Sequence, residues 1–136
     1  MAQLHAYLRF NGNCREALTF YRDCLEGELK VMTVAESPMA AKMPPEAQQK
    51  LMHATLTTDQ FVLNGSDMFG PEGVHQGNSF ALSLHGSSEE EIRALFSKLA
   101  VGGKITYPLT MEFWGGMFGT LVDKFGQEWM FNYEKK

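Results

Sequence analysis

The side chains able to do chemistry are few and scattered. Histidines stand at His5, His53, His75 and His85, and no two of them have the spacing of a metal-binding pair. His5 with Glu128 is a candidate acid/base couple, each being of a type that moves protons near neutrality. Glu112, just ahead of "FWGG", is a second candidate base. Trp114, in the glycine-rich "FWGGMFG", is either a platform for a planar ligand or an aromatic of the core or of a subunit interface. Cys14 and Cys24 are ten residues apart in sequence, and on one helix that is about 15 Å. A disulfide needs Cα atoms within roughly 7 Å. Free thiols acting as small hydrophobes are therefore expected.

These residues must be positioned by a short chain of 136 residues, enough for one domain with a real core. The chain is 44% hydrophobic and 21% charged, which excludes a disordered or fibrous polypeptide. The net charge is −4 and no basic run is present, so nucleic acid is not an expected partner. No apolar run approaches membrane-spanning length, and "MAQLHAYLRF" does not read as a signal peptide. A cytoplasmic location without membrane association is the expectation.

Residues 3–10 alternate as a strand, with Leu4, Ala6, Leu8 and Phe10 on one side and His5, Tyr7 and Arg9 on the other. Asn13 and Glu16 have capping-box spacing. The spacing of Ala17, Leu18, Phe20, Tyr21 and Leu25 predicts a helix over 14–25, stopped by Gly27. A strand over 29–36 follows, then a proline-rich loop over 37–50. Residues 51–67 read as two strands about a turn near Thr58 and Asp59. Residues 68–78 are a Gly- and Pro-rich linker.

The pattern then restarts. "SFALSLHG" is an alternating strand. The next helix has Ser87 or Ser88 as cap, three glutamates in its first turn and Gly102-Gly103 as stop. "KITYPLTM" is a strand whose Pro108 calls for an edge or a bulge. A closing hairpin turns over Asp123–Gly126. The order is β-α-β-β-β twice, with first strands about 76 residues apart, helices about 75 and terminal hairpins about 66.

A tandem βαβββ chain of this size resembles the vicinal-oxygen-chelate superfamily of glyoxalase I and bleomycin-resistance proteins. "FNGNCREALTFYRDCLEGEL", "MHATLTTDQFVLNGSD", "LAVGGKITYPL" and "FWGGMFGTLVDKFGQEWMFN" narrow the resemblance to its PhnB-like branch. That branch often carries a 3-demethylubiquinone 3-methyltransferase label. The resemblance implies an α+β fold of two βαβββ modules, whose curved mixed sheets enclose a cup, and a homodimer. One domain over 1–136 is expected, with module one at 1–68, a linker at 69–77 and module two at 78–136.

The resemblance also implies where metal-dependent relatives carry their ligands: near His5, Asn64 or Ser66, Ser79 and Met130. Neutral Asn and Ser oxygens and a thioether are poor donors for Mg, Mn or Ni, and one imidazole does not hold Zn. No metal and no cofactor are therefore expected. His5 becomes instead a polar residue of the cup. By alternation the cup is lined by His5, Tyr7, Arg9, Val62, Asn64 and Ser66 from the first module. Ser79, Ala81, Ser83, Glu128, Met130 and Asn132 line it from the second, and Trp129, Phe131 and Tyr133 pack under the helices. With Trp114 nearby, that lining suits a small organic ligand. The alternative is an enzyme of the same superfamily, metal-dependent or acid/base, of isomerase, lyase or dioxygenase type. Methyl transfer from a nucleotide-like donor is disfavoured, because no Gly-rich turn leads from a strand into a helix.

Overall fold

A computed structural model describes residues 2–69 and 73–134. The chain divides into two compact units after His75. The first contains β1 (Ala6–Phe10), α1 (Cys14–Leu25), β2 (Glu28–Thr33), two short 3-10 turns, β3 (Leu51–Thr57) and β4 (Val62–Asp67). The second contains β5 (Leu82–His85), α2 (Glu89–Ala100), β6 (Lys104–Met111), β7 (Gly116–Val122) and β8 (Glu128–Glu134). The α+β class and the doubled βαβββ order are as expected.

Each unit builds one four-stranded mixed sheet, in the orders β1-β4-β3-β2 and β5-β8-β7-β6. The first strand of each unit runs parallel to its last, Ala6 opposite Leu63 and Leu82 opposite Trp129. The remaining pairs are antiparallel. A helix covers one face of each sheet. From α1, Cys14, Ala17, Leu18, Tyr21 and Cys24 are buried at helical spacing, against Leu8, Phe10, Ala54, Leu56 and Leu63, which are buried in the sheet. The helix comes down over Gly65, where a Cβ would meet Leu18 Cδ2 at 3.0 Å and Cys14 Sγ at 3.2 Å. In the second unit Ile92, Phe96 and Leu99 of α2 are buried, and Phe96 meets Phe131 edge-on with ring centroids 5.0 Å apart. Trp129, Phe131, Met117 and Leu121 complete that core.

Several local expectations change. β1 begins only at Ala6, so Leu4 and His5 precede it, and Leu4 is 99% exposed. β5 is only four residues, so Ser79 and Phe80 lie outside it, and both are exposed. β2 ends at Thr33, where Glu36 turns the chain by accepting from the Thr33 N–H (2.8 Å) and hydroxyl (2.9 Å). Those bonds, the backbone one foremost, hold the Glu36 carboxyl below its ordinary value. Asn13 makes no side-chain cap bond. The Cys14 N–H donates instead to Asp67 Oδ1 at 2.9 Å, from 53 residues away. The capping logic does hold at α2, where Ser88 Oγ accepts from the Glu91 N–H at 3.1 Å. β6 is an edge strand with register shifts on both sides of Tyr107, which accommodates Pro108.

The α1 stop is also displaced. Glu26, not Gly27, takes the left-handed conformation (φ 57°) as its N–H reaches the Arg22 carbonyl. Gly27 serves close approach: a Cβ there would sit 2.7 Å from the Thr57 carbonyl and 2.8 Å from Leu56 Cδ1. Glu26 is exposed, so Glu26→Gly removes a conformational strain and nothing else of weight. It is expected to stabilise the protein by about 1 kcal/mol, read as a higher urea midpoint. Glu26→Ala, which keeps the Cβ, is expected to give no gain.

Candidate functional site

The sheet face opposite α1 carries Tyr7 and Arg9 of β1, His53, Thr55 and Thr57 of β3 and the even residues of β4. Register places Tyr7 beside Asn64 and Asn64 beside Thr55. Arg9 lies beside Ser66, and His53 beside Met32. His53 comes one residue before Ala54 and Ser66 one residue after its partner Gly65, so continuing the antiparallel ladder by one step brings His53 into the row of Arg9 and Ser66. The polar groups bond to one another. His53 Nε2 and Thr55 Oγ1 are 2.8 Å apart, and Thr55 Oγ1 donates to Asn64 Oδ1 at 3.0 Å. The Tyr7 and His53 rings lie 6.1 Å apart at 43°. Tyr7, Arg9 and His53 are exposed.

Four of the expected ligand residues, Tyr7, Arg9, Asn64 and Ser66, thus share one face. His5 does not join them through β1: it is exposed ahead of the strand, with Nε2 3.2 Å from Gln3 Oε1. His53 and Thr55 were not among the expected ligand residues. The alternation His53-Thr55-Thr57 against Ala54-Leu56 places them on this face, whereas histidine spacing alone carries no such signal.

In the second unit the corresponding face carries the rows Ser83–Met130–Thr120–Tyr107 and His85–Asn132–Phe118–Thr110. Met130 is therefore on the open face, as expected, and Ser79 is off the sheet. Glu128 starts β8 opposite Val122. Glu112 accepts from the Tyr107 hydroxyl (3.0 Å) and the Thr110 hydroxyl (3.1 Å), so it braces the end of the β6–β7 hairpin. Trp114 folds back so that its ring occupies the space a Cβ on Gly116 would need, whereas its neighbour Phe113 is 99% exposed. Trp114 is thus packed on its own hairpin.

Among the described residues no three of His, Cys, Asp and Glu are grouped to hold a metal. A shallow cleft of about 480 Å³ opens at the start of α1, with Arg15, Glu16, Thr19 and Gln49 around it and Asp67 in its lining. It lies on the helix side of the sheet, and both Asp67 oxygens already bond backbone N–H groups, of Cys14 and of Leu51 (2.9 Å each).

Both cysteines are buried thiols outside any disulfide. Burial, then the neighbouring Asp67 charge, pushes the Cys14 thiol from its ordinary 9.0 to about 12. Cys14 is therefore a packed thiol and not a nucleophile. The folded state holds this proton more tightly than the unfolded chain, so its contribution is complete below about pH 9 and is lost as pH rises toward 12. The urea midpoint is expected to fall across that window, and to fall less in Cys14→Ala. Equal slopes in the two proteins would refute the assignment.

The tandem units and their faces define a known class. The chain matches the model of the Glyoxalase/Bleomycin resistance protein/Dioxygenase superfamily over residues 3–131 and belongs to that family. Among individual relatives, Protein YjdN of Escherichia coli K12 is 30% identical over 98% of this chain and 96% of its own. The crystal structure of PA1353 from Pseudomonas aeruginosa is 38% identical, with TM-score 0.86 and full coverage of both chains. A PhnB protein from Bacillus cereus, provisionally described as a 3-demethylubiquinone-9 3-methyltransferase, is 26% identical with TM-score 0.80, over 97% of this chain and 99% of its own. The PhnB-like resemblance read from the sequence motifs is thereby shown. No helix among the described residues is long and apolar enough to cross a membrane.

Proposed function

We propose that this protein binds a small organic molecule on the open face of its first-unit sheet, without needing a metal ion. One observation carries the reading. Tyr7, Arg9, His53, Thr55, Asn64 and Ser66 present a cation, hydroxyls, an amide and two rings on the face that α1 leaves uncovered. A few convergent polar groups beside apolar surface are what small-ligand sites use. The donor chemistry supports metal independence: Asn64, Ser66 and Met130 are weak ligands where metal-dependent relatives carry strong ones. The methyltransferase description of the Bacillus cereus relative gains no support from this chain, whose sheets are not doubly wound and lack a Gly-rich strand-to-helix turn. We further propose a homodimer in the cytoplasm.

The test is a metal analysis of purified protein followed by a thermal-shift screen of small organic acids, phosphonates and antibiotics. A compound at a hundred times its Kd is expected to add about 2.7 kcal/mol of stability. A stoichiometric divalent metal whose removal abolishes that shift overturns the metal-free reading. Failure of every compound to raise the Tm overturns the binding reading. A monomer in light scattering overturns the dimer.

A further inference from the structure

The bond directions on the first-unit face fix a proton. A threonine hydroxyl has a single hydrogen. Thr55 donates it to Asn64 Oδ1, an atom that can only accept. Toward His53 Nε2, 2.8 Å away, the Thr55 oxygen must therefore act as acceptor. The proton of the neutral imidazole then sits on Nε2, and Nδ1 keeps its lone pair. No hydrogen bond engages Nδ1 among the described residues, and the side chain is exposed.

The charges around it point the same way. From β1, Tyr7 and Arg9 share its face, and Arg9 enters no ion pair among the described residues. From β2 come Glu28 and Lys30, which pair with each other at 3.6 Å. From β4 come the neutral Asn64 and Ser66. The row Arg9–Ser66–His53 spans two strand spacings, about 10 Å. An arginine side chain and a projecting ring can both meet one small molecule across that gap.

We infer that His53 is the hydrogen-bond-accepting centre of this face, fixed in its Nε2–H form by Thr55 and Asn64. With Arg9 it receives a small organic acid that carries an O–H or N–H group beside its carboxylate. The inference rests on the ligand-binding reading above and adds to it a ligand class and a proton position. Arg9 takes the carboxylate, His53 Nδ1 accepts from the adjacent donor, and the Tyr7 ring flanks the ligand body. Thr55 is a positioning residue: it acts only through the imidazole.

Two measurements test this. Long-range proton–nitrogen NMR of the imidazoles, in mildly alkaline buffer without any ligand, is expected to show His53 as the Nε2–H tautomer. Thr55→Val is expected to release it to a tautomer mixture, and Thr55→Ser to restore it. An Nδ1–H tautomer in the unaltered protein would mean that the Asn64 amide is turned over and the relay reversed, which overturns the assignment.

The second measurement compares the binding of mandelate and phenylacetate, which differ by one hydroxyl. Mandelate is expected to bind about fivefold tighter, the worth of one net hydrogen bond. The preference is expected to vanish in His53→Phe, while Arg9→Gln weakens both acids. Equal affinities, or a preference that survives His53→Phe, overturn the proposal. If neither acid binds while other compounds raise the Tm, the ligand class is wrong and the binding reading stands. If nothing binds, both fall.

Discussion

Asp123→Ala is expected to lower stability by about 4 kcal/mol and the Tm by more than about 10 °C. Asp123 is 3% exposed and ends the β7 strand at the last hairpin. Its Oδ1 accepts from the N–H groups of Phe125 (2.8 Å) and Gln127 (3.1 Å), and its Oδ2 from the Trp129 indole N–H (2.8 Å). Truncation leaves those donors without the acceptor at a site water barely reaches, and each charge-assisted bond is worth about 1.5–3 kcal/mol. Part of that is returned because a carboxylate is no longer buried. Asp123→Asn is expected to cost nearly as much, since its NH₂ group turns a donor toward a donor. Trp129→Phe removes the indole bond together with part of a buried ring and is expected to cost about 2–3 kcal/mol. Thermal unfolding with a double-mutant cycle measures the coupling. A Tm for Asp123→Ala within about 1 °C of the parent would sink this account.

Asp67→Ala is expected to cost about 3 kcal/mol. Asp67 is buried at the end of β4 and bridges the start of α1, through Cys14, to the start of β3, through Leu51. Its loss removes the acceptor for the first N–H of α1, since Asn13 makes no cap bond. A second readout separates this from general loosening. The Asp67 charge helps to raise the Cys14 thiol. In Asp67→Ala that thiol is expected to ionise at a lower pH, seen as thiolate absorbance at alkaline pH under conditions where the protein stays folded. A drop in stability without that change would leave Asp67 a packing residue only.

The two aspartates also show where sequence reasoning stops. Asn13 satisfied a local capping rule, yet the acceptor came from 53 residues away. No pattern within a window of ten residues can show that. Alternation did sort Tyr7 and Arg9 from Leu8 and Phe10, because one side of β1 meets α1 and the other does not. It carried on too far at Leu4, since alternation does not say where pairing ends; the first residue of β1 with a partner is Ala6, opposite Leu63. The α1 stop falls one residue before the glycine that sequence logic points to, because Glu26 takes the positive φ and Gly27 is required by the nearness of the Thr57 carbonyl. The β6 edge was legible from Pro108, a residue whose chemistry forbids a central position. Trp114 was not, because its packing on Gly116 is a matter of hairpin geometry. His53 is legible in the alternation His53-Thr55-Thr57 against Ala54-Leu56, but not in the spacing of the histidines.

The pairing of first strand with last has a kinetic consequence. β2, β3 and β4 follow one another as neighbours in the sheet, as do β6, β7 and β8. The β3–β4, β6–β7 and β7–β8 turns close short loops and can form early, whereas residues 34–50 join β2 to β3. β1 can dock only on β4, with Ala6 and Leu63 roughly sixty residues apart, a closure costing about 3–4 kcal/mol of chain entropy. Until then, Tyr7 and Arg9 have no neighbouring strand to hold them beside Asn64 and Ser66. The Tyr7 and Arg9 side of the polar face is thus the last part of the first unit to assemble and the first to be lost when β1 frays. Hydrogen exchange should find the β1 amides less protected than those of β3, and a molecule that bridges Arg9 and His53 should slow that opening.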